Sequence, residues 1–229
     1  MNWFIYISLA VILLSFLAST RIFALRSITG TPAATPGYTG LLRRFSWFLL
    51  FTFLCESFGV AWPRIFYQLT PFSRSNQWFY ILFHFASYLF YLWFLLNVLS
   101  SPGARRLVKI FSWAYIGFSA INYCFIQGPL QLNTFSDLTA CFMMVFLCIA
   151  YYYQLLQAPV FLPLHTQPLF WIITGLLIYH LGSMMGLFLI NVMNVISMDQ
   201  AMNILIIVQI AAMLMYINYS IAFLCMKKK

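Results

Sequence analysis

Three ionisable side chains, Glu56, His84 and His180, stand inside long apolar runs of this sequence. Such groups are expensive in a hydrocarbon layer, so each predicts an interior position with a partner. A carboxyl with two imidazoles can bind a polar ligand, carry protons or contribute to a metal site. At a rise of about 1.5 Å per residue, all three fall within roughly 6 Å of the middle of their runs, level with Gln209, while Asn122 lies slightly farther out. Polar residues recur at helical spacing around them: Gln77, His84, Ser87, Tyr88 and Tyr91; Tyr115, Ser119 and Asn122; Gln209, Tyr216 and Ser220. Such stripes predict faces turned toward a bundle interior. Where they converge, Glu56, His84, Tyr88, Asn122, His180 and Gln209 form a candidate ligand set. The alternative is that they are interhelical hydrogen bonds that only hold the bundle together.

Other chemistries find little support in the residue pattern. Retinal attachment needs a lysine deep in the bundle, and Lys109 and Lys227 to Lys229 all lie near span ends. No HExxH, CxxC, phosphate-binding glycine loop or nucleophile motif occurs. Glu56, His84 and His180 would make a zinc site only by tertiary convergence, so no metal and no cofactor are expected. Eleven Met and five Cys suggest Cu(I), but the pairs Met143-Met144 and Met184-Met185 are more simply packing residues. Cys55, Cys124, Cys141, Cys148 and Cys225 all lie in spans and are expected as free thiols. Asp137 heads a face with Cys141, Met144 and Cys148, yet among Asn133, Thr134 and Ser136 it reads first as part of a helix cap.

These residues must be positioned by membrane helices. Of 229 residues, 64% are hydrophobic, 20% aromatic and 7% charged, which excludes an ordinary water-soluble domain. Apolar runs predict one all-α domain over 1–229, a seven-transmembrane-helix bundle with spans near 2–20, 45–63, 76–99, 107–127, 134–156, 168–191 and 200–224. The first run has no Lys or Arg before it and reads as a retained helix rather than a secretory signal. The net charge of +9 marks topology, not nucleic-acid binding. Arg21, Arg26, Arg43, Arg44, Arg105, Arg106, Lys109 and Lys227 to Lys229 fall on one side, Arg64 and Arg74 on the other, so the N-terminus is expected outside and the C-terminus in the cytoplasm. The seven tryptophans fall near span ends, as interfacial rings do. All nine prolines fall in connectors or at helix ends, which predicts unbroken helices, unlike the interrupted helices of many transporters. The long connector 20–44 reads as a solvated basic loop. On span six, Gly175, Gly182 and Gly186 form a small-residue face for close helix packing, within the bundle or in a homodimer, with the first expected. His180 points well away from that face.

The stretches Asn76-Gln-Trp-Phe-Tyr80-Ile-Leu-Phe-His84 and Pro168-Leu-Phe-Trp171 through Gly175, Tyr179 and Gly182, with the Cys55-Glu56-Ser57 segment and the basic C-terminal end, resemble a group of small bacterial seven-helix membrane proteins without an assigned activity. That group is itself similar to the membrane portions of bacterial sensor proteins. The resemblance implies the bacterial inner membrane and a sensory role, and marks Glu56, Asn76, Tyr80, Trp171, Gly175, Tyr179 and Gly182 as typical positions without assigning them roles.

The expected function is therefore a membrane sensor or receptor-like component, not an enzyme. It would take a small molecule or lipid from the outer side and signal through a cytoplasmic or membrane partner, by way of residues 20–44, 100–109 or the Lys-rich end. A small proton-coupled transporter, with Glu56 and the histidines as proton carriers, is the alternative. A lipid-modifying metalloenzyme is a further one.

Overall fold

The computed structural model describes residues 2–24, 28–29, 38–66, 76–128, 133–157, 163–192 and 198–228. Arg26, Arg74, Lys229 and residues 25–27 and 30–37 of the 20–44 connector lie outside these. The described chain is helical: α1 Asn2–Ser19, α2 Arg21–Ala24, α3 Tyr38–Phe66, α4 Gln77–Val98, α5 Pro102–Ile121, α6 Thr134–Leu156, α7 Pro168–Val192 and α8 Met198–Leu224. A two-residue antiparallel pairing joins Ile28–Thr29 to Lys227–Lys228. Six helices, α1, α3, α4, α6, α7 and α8, are long and apolar enough to cross a bilayer. Large apolar side chains face outward all round, among them Leu14, Trp47, Leu54, Leu82, Trp113, Phe146 and Phe188. A water-soluble monomer rarely exposes so continuous a belt; lipid covers it in a multi-pass membrane protein.

Excluding the short α2, the helices pack in chain order as a closed ring, α1, α3, α4, α5, α6, α7, α8 and back to α1. Helix α4 also reaches α6 past α5, which makes it the inner member. The glycine face of α7 explains the closest of these contacts. A Cβ on Gly182 would stand 2.7 Å from Ala211 Cβ, and one on Gly186 2.6 Å from Val208 Cγ2, so both are hydrogen-only positions against α8. The small-residue face is used within the bundle.

Helix α3 begins at Tyr38, seven residues before the apolar run expected at 45, and thus carries Arg43 and Arg44 within it. Helix α5 likewise begins at Pro102, its fixed φ suited to the first turn, and carries Arg105, Arg106 and Lys109. Helical hydrogen bonding does not stop where the bilayer does. Trp47 and Trp113 consequently lie well inside their helices, three and four residues beyond Arg44 and Lys109, rather than at helix ends.

The expectation of unbroken helices fails at one place. The end of α5 widens into a π-turn over Asn122–Ile126, with Gln127 N–H bonded to Asn122 O at 2.9 Å. Gln127 and Gly128, the latter at φ 68°, follow it. The turn carries Asn122 into the start of α6, where its carboxamide lies among Gln127, Asn133 and Ser136. Gln127 in turn accepts from Phe135 N–H at 3.2 Å and donates to Thr134 Oγ1 at 2.8 Å. The N-terminus of α6 is thus capped from α5's end, and Asn133 makes no side-chain cap bond of its own.

The two halves of the bundle are packed differently. Toward the start of α3 and the ends of α4 and α8, Phe45, Phe94, Tyr219 and Phe223 are completely buried, with Phe45 ring centroids 5.0 Å from both Phe94 and Tyr219. Leu42, Leu49 and Leu95 fill the remaining space. The opposite half is hollow.

Candidate functional site

Helices α1, α3, α4, α7 and α8 enclose a cavity of about 460 Å³ in that hollow half. Its size is in the usual range for a small-molecule site. Helix α4 with its N-cap Asn76 supplies the largest share of its wall, because Asn76, Tyr80, His84, Ser87 and Tyr91 follow one another at three- or four-residue steps and so share a face. Helix α3 adds Thr52 and Glu56, α8 adds Gln209, Ala212, Met215 and Tyr216, α7 adds Tyr179, and α1 closes it with Ile5, Ser8 and Ile12. A second, adjoining cavity of about 310 Å³ shares Glu56, Asn76, Tyr80 and Gln209 and extends to the exposed Arg64. The Arg64 guanidinium donates to Tyr6 Oη at 2.8 Å and stands over the Tyr6 ring.

Glu56 is the acidic side chain of these walls. Its Oε2 accepts a hydrogen bond from Tyr80 Oη at 3.1 Å. Tyr80 is held there by the absence of a side chain at Gly59, where an added Cβ would lie 2.6 Å from Tyr80 Oη. Asn76 Nδ2 donates to Gly59 O at 2.7 Å and locks α4 against the same turn of α3. The Tyr80 ring lies 6.0 Å from that of His84.

His84 faces two ways. It lines the cavity with its side chain about one-third exposed, and its Nδ1 stands 3.1 Å from Asp137 Oδ2 on α6. With Asp137 ionised, Nδ1–H donates to the carboxylate and Nε2 remains as the ring's second polar atom. Asp137 therefore does not act as a helix cap, as its neighbours suggested; the cap is supplied by Gln127, and the carboxylate is turned into the bundle. Its Oδ1 is buried and has no partner among the described residues.

Of the six residues expected to meet, Glu56, His84, Tyr88 and Gln209 line the one cavity. His180 and Asn122 do not. His180 is completely buried behind the wall, its Nδ1–H donating to Leu176 O at 2.7 Å and its ring packed on Tyr88, Tyr91 and Tyr179 at 5.7, 6.1 and 5.0 Å. It braces three aromatic residues of the cavity from outside. Asn122 belongs to the α5–α6 clasp. Tyr80 and Asp137 are the residues the candidate set lacked. Tyr80 was visible as the position four before His84 on the same stripe, and Asp137 as the head of a buried face with Cys141, Met144 and Cys148.

Among the described residues no three His, Cys, Asp or Glu side chains are grouped to hold a metal ion. The five cysteines are free thiols. The walls therefore present one carboxyl, one carboxylate-paired imidazole, several phenol hydroxyls and three carboxamides over an aromatic lining. Such a surface binds and orients a guest through hydrogen bonds and ring contacts.

No family model matches the chain, and neither a curated protein nor a solved structure matches it.

Proposed function

We propose that this chain is a membrane sensor or receptor-like component that binds a small amphipathic molecule between α1, α3, α4 and α8 and passes the change to a partner. In this reading α5 is a seventh span, the N-terminus and the cavity mouth face outward, and the basic C-terminal side faces the cytoplasm of a bacterial cell. Leu107, Ile110, Trp113, Ile121 and Phe125, exposed along α5, support its lying in lipid. The observation that carries the reading is the one-sided hollow: a cavity of small-molecule size stands over a solid aromatic half. A receptor needs only the cavity, whereas a transporter must also open the packed half.

The coupling follows from His84. A guest in contact with its ring on the cavity side competes with, or reinforces, the bond to Asp137 on the other, and so biases how α4 packs on α6. A ligand shifts such an equilibrium only by its difference in affinity for the two packings. The exposed Arg43, Arg44, Arg105, Arg106 and Lys109, at the far ends of α3 and α5, offer the signal a cationic surface for a partner.

Native mass spectrometry of nanodisc-embedded protein tests the reading. A small-molecule adduct retained at one per chain in the wild type and lost in the cavity-filling Ala212→Trp supports it. An identical spectrum for both proteins counts against it.

A proton-coupled transporter is favoured by a different observation, the placing of the Glu56–Tyr80 and His84–Asp137 pairs along one wall. Uptake into proteoliposomes that follows a pH gradient and vanishes in Glu56→Gln would establish that function instead.

A further inference from the structure

The charge and surface of the cavity narrow the class of molecule it takes. Glu56 reaches the walls of both cavities, and Tyr80 is the only donor to its carboxylate among the described residues. Among the described residues no lysine or arginine lines the main cavity. Arg64, eight residues farther along α3 and so about 12 Å up the helix, is engaged with Tyr6 at the outer end. His84 cannot neutralise Glu56 and Asp137 together: it interacts with both, and a single positive charge on its ring leaves one carboxylate over. With Asp137 ionised, a protonated His84 makes a pair of zero net charge and a neutral one leaves that pair negative. In either state, among the described residues, Arg64 is the one fixed cation of these walls, and it lies at the outer end of the adjoining cavity rather than among the rings of the main one.

Around that carboxyl the lining is aromatic. Tyr80, Phe83 and His84 follow on α4, Tyr91 lies two turns deeper, and Tyr179 and Tyr216 close the opposite side. Ring faces attract cations through their quadrupole, more strongly where water is excluded, and a carboxylate among several rings is a surface suited to an ammonium or other organic cation. An inorganic cation would need a shell of oxygen ligands instead, and one carboxylate with scattered hydroxyls does not supply it. An organic anion in the main cavity would meet Glu56, and Arg64, in the adjoining cavity, is engaged with Tyr6.

We infer that the ligand of this cavity is an amphipathic organic cation, an amine or quaternary onium of drug-like size, with Glu56 as its counter-ion and Tyr80, Phe83, Tyr91 and Tyr216 as the aromatic enclosure. The inference rests on the receptor reading and names the chemistry of that same site. Tyr80 is the element that responds: a cation beside Glu56 takes over the carboxylate that Tyr80 Oη now occupies. The freed phenol lies between Gly59 and the His84 ring.

Tetraphenylphosphonium and tetraphenylborate, matched in shape and opposite in charge, test this by equilibrium dialysis against the full chain in nanodiscs, with empty nanodiscs as the blank. The expected result is saturable binding of the phosphonium at about one per chain and none of the borate. Affinity should fall at least fivefold in Glu56→Gln, and binding should be lost in Ala212→Trp. Gln209→Glu, which adds a second carboxylate to the same wall, should tighten the phosphonium severalfold, so the inference stays testable even where Glu56→Gln does not fold. Phosphonium binding unchanged by both Glu56→Gln and Gln209→Glu, or borate bound equally well and lost in Ala212→Trp, would overturn the cationic class while leaving a ligand cavity in place. Binding of either probe that Ala212→Trp does not alter, or no saturable binding at all, would overturn the inference and the cavity's receptor role together.

Discussion

Gly59 and Tyr80 show how one missing methyl sets the geometry of the site. A Cβ at position 59 would lie 2.6 Å from Tyr80 Oη and 2.8 Å from Cζ, so Gly59→Ala must push the ring off Glu56. Overpacking of this kind costs about 1–3 kcal/mol. Thermal unfolding in detergent should show that loss, and Tyr80→Phe should recover part of it in the Gly59→Ala background by removing the nearest atom; no recovery would place the clash elsewhere. The His84–Asp137 pair makes a second prediction at this scale. A double-mutant cycle with His84→Gln and Asp137→Asn should give a coupling energy between about 0.5 and 3 kcal/mol, and strictly additive losses would show that the two side chains do not interact. Glu56, His84, Tyr88 and Gln209 were legible in the sequence, because a polar side chain in the middle of an apolar run has few reasons to be there. Asp137 was visible as the head of a face with Cys141, Met144 and Cys148, but its pairing was not, since its neighbours Asn133, Thr134 and Ser136 suit a helix start as well as they suit a buried pair. Only the position of α4 distinguishes the two.

At the scale of elements, Gly128 and Pro129 mark the end of α5 in the sequence, but nothing there distinguishes a π-turn over Asn122–Ile126 from an ordinary last turn. The cause of the π-turn is tertiary: the extra residue in the turn brings Asn122 and Gln127 to the open N–H groups of α6. The clasp therefore belongs to folding rather than to ligand binding. Asn122→Ala should lower stability by about 1–3 kcal/mol, the cost of leaving buried polar partners unmatched, without changing the affinity of a cavity probe. A large affinity loss at unchanged stability would return Asn122 to the ligand set. Helix extents were legible where an apolar run ends at a polar turn, as for α6, expected and found at 134–156. They were not legible where a helix continues past the bilayer into basic residues, as α3 does through Arg43 and Arg44.

At the scale of the whole molecule, chain order and ring order coincide, which no pattern of apolar residues dictates. The position of α4 inside the ring is what lets one helix touch both the cavity and α6. The place of α5 in the bilayer is open to direct test by topology reporters. Alkaline phosphatase fused after Gly128 should be active and after Gln157 inactive, while the reverse, inactivity after Gly128 and activity after Gln157, would put α5 on the inner surface and leave six spans. The account turns, finally, on a hollow that opens to one side only. Side-specific labelling of Ala212→Cys in sealed proteoliposomes with a membrane-impermeant, positively charged thiosulfonate, scored above the wild-type background, tests that most directly. The account predicts modification from the side that carries Arg64 and none from the side that carries Arg43 and Arg44. Modification from both sides, or from neither, would contradict it.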